Sequence, residues 1–134
     1  MSNAKTPDDI VCPLDAPFVD ARGTIQPILS EEVRDVAIIS SVKGAVRANH
    51  YHRTDSHYSY VMSGSLEYVW RPVGSTDAPA RRVIHAGEMF FTPAMVEHAM
   101  VFLEDTVFLN LAANARAHED YEADVVRVPL VTAP

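Results

Sequence analysis

The sequence predicts an all-β fold of the sandwich or barrel kind, and two observations favour it. Short runs rich in β-branched and aromatic residues follow one another closely, and each is bounded by Gly, Pro, Asp or Ser, which is the pattern of strands separated by turns. Before residue 112, no segment keeps a helical spacing of apolar residues for long. Many short strands at close spacing are typical of β-sandwiches and β-barrels.

The predicted strands can be placed along the chain. They cover residues 33–42, 49–52, 57–64, 65–71, 81–87, 88–93, 97–104 and 106–112. Ser63-Gly64 and Ala86-Gly87 predict tight turns, and residues 72–79 predict a longer loop. Residues 112–124 can hold a short helical turn.

Length and composition indicate one domain with a single hydrophobic core. The chain has 134 residues, of which 48% are apolar. Residues 1–17 carry Pro7, Pro13 and Pro17 among scattered charges, and we expect them to form an irregular N-terminal arm. Residues 18–134 are then the β domain.

Charge and cysteine content restrict the partners and the compartment. Eleven Lys and Arg against 18 Asp and Glu give a net charge of −7, which argues against nucleic acid or an anionic membrane as a partner. No apolar run is long enough to cross a bilayer. Cys12 is the single cysteine and cannot form an internal disulfide, so we expect a cytoplasmic location.

Histidines form the most informative cluster in the sequence. His50 and His52 are two residues apart and share one face of a predicted strand, His57 begins the next strand, and His98 follows far along the chain. Four imidazoles are enough to fill a nitrogen-rich transition-metal site that keeps one or two positions open. The histidines therefore indicate one of three things: a metal centre, a site of proton transfer, or polar strand residues without a functional role.

The spacing around the first three histidines resembles a known motif. Gly44, five residues, His50-x-His52, four residues, His57, six residues and Gly64 is similar to the first cupin motif, G-x5-H-x-H-x3,4-E-x6-G. The usual glutamate is replaced by His57.

The second cupin motif, G-x5-P-x-G-x2-H-x3-N, is matched by a segment that contains the fourth histidine. Gly87, Pro93 and His98 stand at its fixed positions, while Met95 replaces its second glycine and Phe102 its final asparagine. The two matches together cover residues 44–102.

The cupin resemblance implies a fold and a cofactor. The fold is a single-domain cupin β-barrel, also described as a double-stranded β-helix or jelly roll. Its cofactor would be one divalent transition metal, either Fe, Zn, Ni, Cu or Mn, held by His50, His52, His57 and His98. The expected function is then a small-molecule enzyme of the dioxygenase, isomerase or lyase type, in which the metal polarises a carbonyl or enolate oxygen.

A second resemblance implies a different, metal-independent chemistry. The segments VDARGTIQPI (19–28), VRANHYH (46–52) and the YEADVVR tail look like those of sugar-nucleotide epimerase and ketoisomerase cupins, the RmlC-like proteins. On this resemblance Arg22 and Arg47 bind phosphate oxygens. His50 is the general base next to the sugar carbonyl, and His52 or a tyrosine is its acid partner.

Three further expectations complete the sequence-based account. Tyr60 and Tyr68 alternate on strands and are candidate substrate-binding residues, and the alternative for them is packing in the core with the hydroxyl at the rim. A non-catalytic cupin module that captures a small ligand is the alternative to an enzyme. By analogy with small cupins we expect a homodimer, in which the residues before Phe18 reach the neighbouring protomer.

Overall fold

A computed structural model describes residues 10–114 and 118–132, with side chains omitted for residues 118–120. No helix in these ranges is long and apolar enough to span a bilayer. The elements in chain order are β1 (Val11–Cys12), β2 (Phe18–Asp20), β3 (Gly23–Ile25), β4 (Asp35–Ser41), β5 (Val46–His52), β6 (His57–Ser63), β7 (Ser65–Pro72), β8 (Ala80–His85), β9 (Met89–Thr92), β10 (Val96–Phe102), β11 (Thr106–Ala112), α1 (His118–Asp124) and β12 (Val125–Arg127).

Two five-stranded antiparallel sheets form the body of the domain. The first has the order β1-β9-β6-β11-β4 and the second the order β12-β5-β10-β7-β8, while β2 and β3 form a small hairpin of their own. Strands adjacent in the chain repeatedly alternate between the two sheets, which is the jelly-roll arrangement predicted from the sequence. The predicted all-β jelly-roll fold is therefore confirmed.

The hydrophobic core lies between the two sheets, because alternate residues of each strand point inward. Large, fully buried side chains come from both sheets: Tyr68, Phe90, Phe102, Phe108, Leu66 and Ile84. A second cluster lies on the outer face of the first sheet, where Tyr58, Met89 and Leu111 are covered by the N-terminal segment that contains Leu14 and Ile28.

The predicted turns occur where the sequence placed them. Gly64 connects β6 to β7 with φ of 90°, and a Cβ there would collide with the carbonyl oxygen of Asp105 and with Thr106. Gly87 has φ of 86° between β8 and β9. Both positions need the left-handed conformation that glycine adopts without steric cost.

Several short elements were not predicted. Val11–Cys12, within the segment expected to be an irregular arm, pairs with β9, and Ile10 and Cys12 are buried. Strands of two or three residues are too short to show alternation in the sequence, which is also why β12 was missed. The predicted helical turn within residues 112–124 corresponds to α1.

Candidate functional site

Four histidines converge between the two sheets. His50 and His52 lie on β5, His57 begins β6, and His98 on β10 pairs directly with His50. The ring centroids of His50 lie 4.8 Å from those of His52 and His98, and the ring centroid of His57 lies 5.4 Å from that of His52. All four side chains are buried. The structure thus brings together the histidines that the sequence analysis grouped.

The histidines border a cavity of about 160 Å³. One part of its wall is polar and contains the imidazoles, while another part is apolar. Arg47 borders the cavity and is itself exposed, so it stands where the cavity meets solvent. The remaining residues of the wall are Ile39, Ala48, Met100, Phe108, Asn110 and Tyr121.

A local distortion of β5 positions His50. Ala48 and Asn49 have φ of 69° and 56°, and the β5–β10 register shifts between His98 and Ala99. Asparagine tolerates the left-handed conformation better than most residues. The side-chain amide of Asn49 also donates to the carbonyl oxygen of Val131 and accepts from its N–H group. The C-terminal segment therefore fixes the irregular part of β5.

Asp124, at the end of α1, fixes the ring of His52. Its Oδ2 lies 3.1 Å from Nδ1 of His52. Burial alone would raise the pKa of Asp124, but hydrogen bonds from the hydroxyl and backbone N–H of Thr54, the N–H of Asp55 and the His52 ring outweigh it and lower the pKa below its ordinary value. An ionised carboxylate only accepts hydrogen bonds, so Nδ1 of His52 carries the proton and Nε2 keeps its lone pair.

The ring of His98, like that of His52, is fixed by a hydrogen bond at Nδ1. Its Nδ1 lies 3.1 Å from the carbonyl oxygen of Val96, which can only accept. His98 therefore also has its proton on Nδ1 and the lone pair on Nε2. Two of the four imidazoles are held in one tautomer by groups outside the cavity, as is usual for histidines that bind a metal or a proton.

The donor set fits a transition metal. One ring nitrogen from each of His50, His52 and His98 lies within 4.8 Å of the others. His57 borders the same cavity but is not part of this group, so the closest cluster contains three of the four predicted ligands. A second cluster of possible metal ligands consists of His52, Asp55 and Asp124. Both of its carboxylates accept hydrogen bonds from backbone N–H groups, so they have a structural role without a metal.

Arg47 is held in place by the edge strand β4. Its Nε donates to the hydroxyl oxygen of Ser41 at 2.7 Å, and a terminal nitrogen donates to the carbonyl oxygen of Ser40 at 3.0 Å. A guanidinium has five N–H groups, so donors remain for a ligand. The guanidinium of Arg47 is therefore positioned so that it can bind an anion at the edge of the cavity.

Three residues predicted to bind substrate do not line the cavity. Arg22 lies on the β2–β3 hairpin with 86% of its side chain exposed and pairs with Asp20. Tyr60 faces the outer cluster, because it is out of phase with the inward-facing His57. Tyr68 is buried, with its hydroxyl 2.8 Å from Thr92 Oγ1, so it stacks behind His98 as a core residue.

Three residues of the site were missed by the sequence analysis: Asn110, Tyr121 and Asp124. Asn110 interrupts the inward-facing apolar positions of β11, and such an interruption is the signal that could have found it. Tyr121 and Asp124 lie in a polar helical segment. Only the pairing of β12 with β5 decides which side of that segment faces the cavity and His52. No pattern in the sequence indicates that pairing.

Comparison with known proteins gives structural relatives only. No protein-family model and no curated protein matches the chain. The solved 3,4-ketoisomerase QdtA from Thermoanaerobacterium thermosaccharolyticum, in complex with TDP, is similar with a TM-score of 0.69 and 18% identity, over 85% of this chain and 84% of that one. A 3,4-ketoisomerase from Helicobacter canadensis has a TM-score of 0.69 and 18% identity, over 84% and 85%.

A third similar structure is the 3'-monoepimerase ChmJ from Streptomyces bikiniensis in complex with dTDP-quinovose. Its TM-score is 0.72 and its identity 20%, over 88% of this chain and 69% of that one. At such identities the likeness establishes the fold. The chain has the cupin fold in the form seen in sugar-nucleotide ketoisomerases and epimerases.

Proposed function

We propose that this protein is an enzyme that isomerises or epimerises a keto sugar linked to a nucleoside diphosphate, without a metal. One observation carries the proposal: His52, fixed by the ionised Asp124, borders a cavity that also contains Arg47. An oriented imidazole and a prepared guanidinium are the two groups that such a reaction requires. The TDP-bound ketoisomerase and dTDP-sugar-bound epimerase of similar fold support the same assignment.

The size of the cavity agrees with a sugar as the buried part of the ligand. Pockets that enclose a whole drug-sized molecule have volumes of roughly 300–1,000 Å³. The present cavity is smaller, at about 160 Å³. A sugar ring would therefore enter among the histidines, while the nucleotide would remain outside and its diphosphate would meet Arg47 at the edge.

His52 is the better candidate for the general base. The resemblance to sugar-nucleotide cupins implied that role for His50, but the contact with Asp124 orients His52 and stabilises its protonated form. His52 would remove a proton from the hydroxyl-bearing carbon next to the ketone, giving an enediolate. Return of a proton to the former ketone carbon, with the proton of the adjacent hydroxyl passing to the former ketone oxygen, isomerises the sugar. Return of a proton to the original carbon from the opposite face epimerises it. Neither route needs an oxidant or a reductant, and His50 would then act as the acid partner.

Binding of nucleotides tests the proposal. We expect dTDP and dTDP-4-keto-6-deoxyglucose to raise the melting temperature of the protein, since ligands that bind only the native state stabilise it. The shift should depend on Arg47. Absence of a shift with any dTDP- or UDP-linked sugar would contradict the proposal, whereas binding without turnover would favour a ligand-capturing module.

A second candidate function is that of a metal-dependent cupin enzyme, which the three clustered ring nitrogens of His50, His52 and His98 favour. A bound divalent metal would supply Lewis-acid polarisation of a carbonyl or enolate oxygen. Elemental analysis of the purified protein tests this candidate, with His98→Ala as the control that should lose the metal. A fully folded protein that contains no metal and takes up none on titration would contradict it.

The proposal includes a homodimer in the cytoplasm. The β2–β3 hairpin forms a two-stranded sheet of its own, and its Phe18, Val19 and Ile25 are 58%, 67% and 63% exposed. An isolated hairpin is marginally stable in water, so a second protomer would cover these side chains. Light scattering after gel filtration should give twice the chain mass, and the double variant Phe18→Ser, Ile25→Ser should give the monomer mass.

A further inference from the structure

We propose that the side-chain amide of Asn110 donates a hydrogen bond to the reacting carbonyl oxygen of the substrate. This inference rests on the proposed function, because it assigns the group that would stabilise the enediol. Asn110 is a buried polar residue on the cavity wall, only 5% exposed, and lies on the same inward face of β11 as Phe108.

Ser59 orients the Asn110 amide. The two residues are direct cross-strand partners on β6 and β11, and the Ser59 hydroxyl donates to Oδ1 of Asn110 over 3.3 Å. Oδ1 is engaged by Ser59, and the NH2 group extends from the other side of Cγ in the same plane. In the part of the chain that the structure describes, that nitrogen donates to no protein group.

A donor of this kind is what His52 and His98 do not supply. His52 and His98 have their protons on Nδ1, bonded to Asp124 and Val96, so neither neutral ring can donate from Nε2. A ketone oxygen, and still more the enediolate oxygen that forms from it, needs donors. The amide of Asn110 is neutral, buried and already in place, so it can donate in every step.

The register of the sheet places Asn110 next to the imidazoles. On the inner face of β11 and β6, the next pair after Asn110–Ser59 is Ala112–His57, so Asn110 and His57 are diagonal neighbours there. The same cavity contains His52, the proposed base. A sugar carbonyl bound there would have the base on one side and the amide donor on the other.

Substitution of Asn110 in the full-length protein tests the assignment. Asn110→Leu keeps the approximate size and removes the donor, and Asn110→Asp replaces the donor with an acceptor. With dTDP-4-keto-6-deoxyglucose we expect kcat to fall by roughly 10²-fold or more in both variants, as for the loss of one oxyanion donor, while KM changes less. Binding of dTDP alone should be unchanged, because it does not occupy the sugar cavity. Ser59→Ala should give a smaller loss of kcat.

The outcomes separate this inference from the proposed function. If wild type turns over the sugar and both Asn110 variants match it within a factor of three, the assignment is overturned and the proposed function stands. A second readout needs no substrate: nuclear Overhauser effects from the Asn110 NH2 protons should reach the ring protons of the cavity histidines. If those protons contact the Ser59 side chain instead, the donor points away from the cavity and the assignment is also overturned.

Discussion

His52 and Asp124 are 72 residues apart in the sequence, yet Nδ1 of His52 lies 3.1 Å from Oδ2 of Asp124. The contact exists because β12, which directly follows α1, pairs with β5 so that Val125 lies opposite His52. Asp124 also accepts hydrogen bonds from the loop between β5 and β6, at Thr54 and Asp55. The C-terminal segment is therefore part of the site and not merely an appendage of the barrel.

Asp124→Asn should strongly lower turnover of a nucleotide-linked keto sugar. The neutral amide can donate to Nδ1 of His52, which would place the proton on Nε2 and remove the lone pair that acts as base. We expect a loss of roughly 10²- to 10⁴-fold in kcat, the range attributed to general acid–base catalysis. Steady-state kinetics measures it. An unchanged kcat in a folded variant would show that His52 is not the base.

The same carboxylate should make stability depend on pH. The pKa of Asp124 is lowered from its ordinary value of 3.8, so the folded state favours the ionised form. Its contribution to the free energy of unfolding is complete above the unfolded-state pKa and is lost as the pH falls through the lower pKa of the folded state. Melting temperatures from pH 7 to pH 2 should show wild type approaching Asp124→Asn in acid. A constant difference across that range would contradict the assignment.

Arg47→Ala should weaken the binding of dTDP. Removing a charge-assisted hydrogen bond costs roughly 1.5–3 kcal/mol, which corresponds to an increase in Kd of about 10- to 100-fold. Calorimetric titration measures the change. The matched control is Arg81→Ala, because Arg81 pairs with Glu67 on the second sheet and does not line the cavity. Equal effects of the two substitutions would indicate general electrostatics in place of a specific phosphate contact.

Tyr68→Phe tests whether Tyr68 is a core residue or a substrate contact. Loss of its hydrogen bond to Thr92 should lower the free energy of unfolding by about 1 kcal/mol. Burial raises the pKa of the Tyr68 hydroxyl, so the group stays neutral at all working pH values. Urea denaturation measures stability, and we expect the affinity for nucleotide sugars to be preserved. A large loss of affinity without loss of stability would restore the substrate-binding role.

Much of the fold could be predicted because its signals are local. Short runs rich in apolar, β-branched and aromatic residues mark strands such as β11, and Gly64 marks a turn that only glycine fits. The four histidines could be grouped because their spacing follows a recognisable motif. Strand alternation also contained a signal that was not used: Tyr60 is three residues from His57, so the two side chains must lie on opposite faces of β6.

The rest of the site depends on pairing that the sequence does not encode locally. Tyr121 reaches the cavity, and Asp124 reaches His52, only because a three-residue strand adds to the edge of the second sheet. Arg22 was assigned a phosphate contact from a short motif, but the hairpin that carries it forms a sheet of its own, and Arg22 does not line the cavity. A motif identifies residue types, whereas the long-range contacts that decide their roles require the folded chain.

The most direct test of the account is proton exchange by metal-free protein. Chelator-treated protein, verified by elemental analysis, would be incubated with dTDP-4-keto-6-deoxyglucose in D2O and the sugar examined by NMR. The account predicts that deuterium replaces the proton on the carbon next to the ketone, and that His52→Ala abolishes the replacement. Absence of exchange in wild type, or exchange that appears only when a divalent metal is restored, would contradict it.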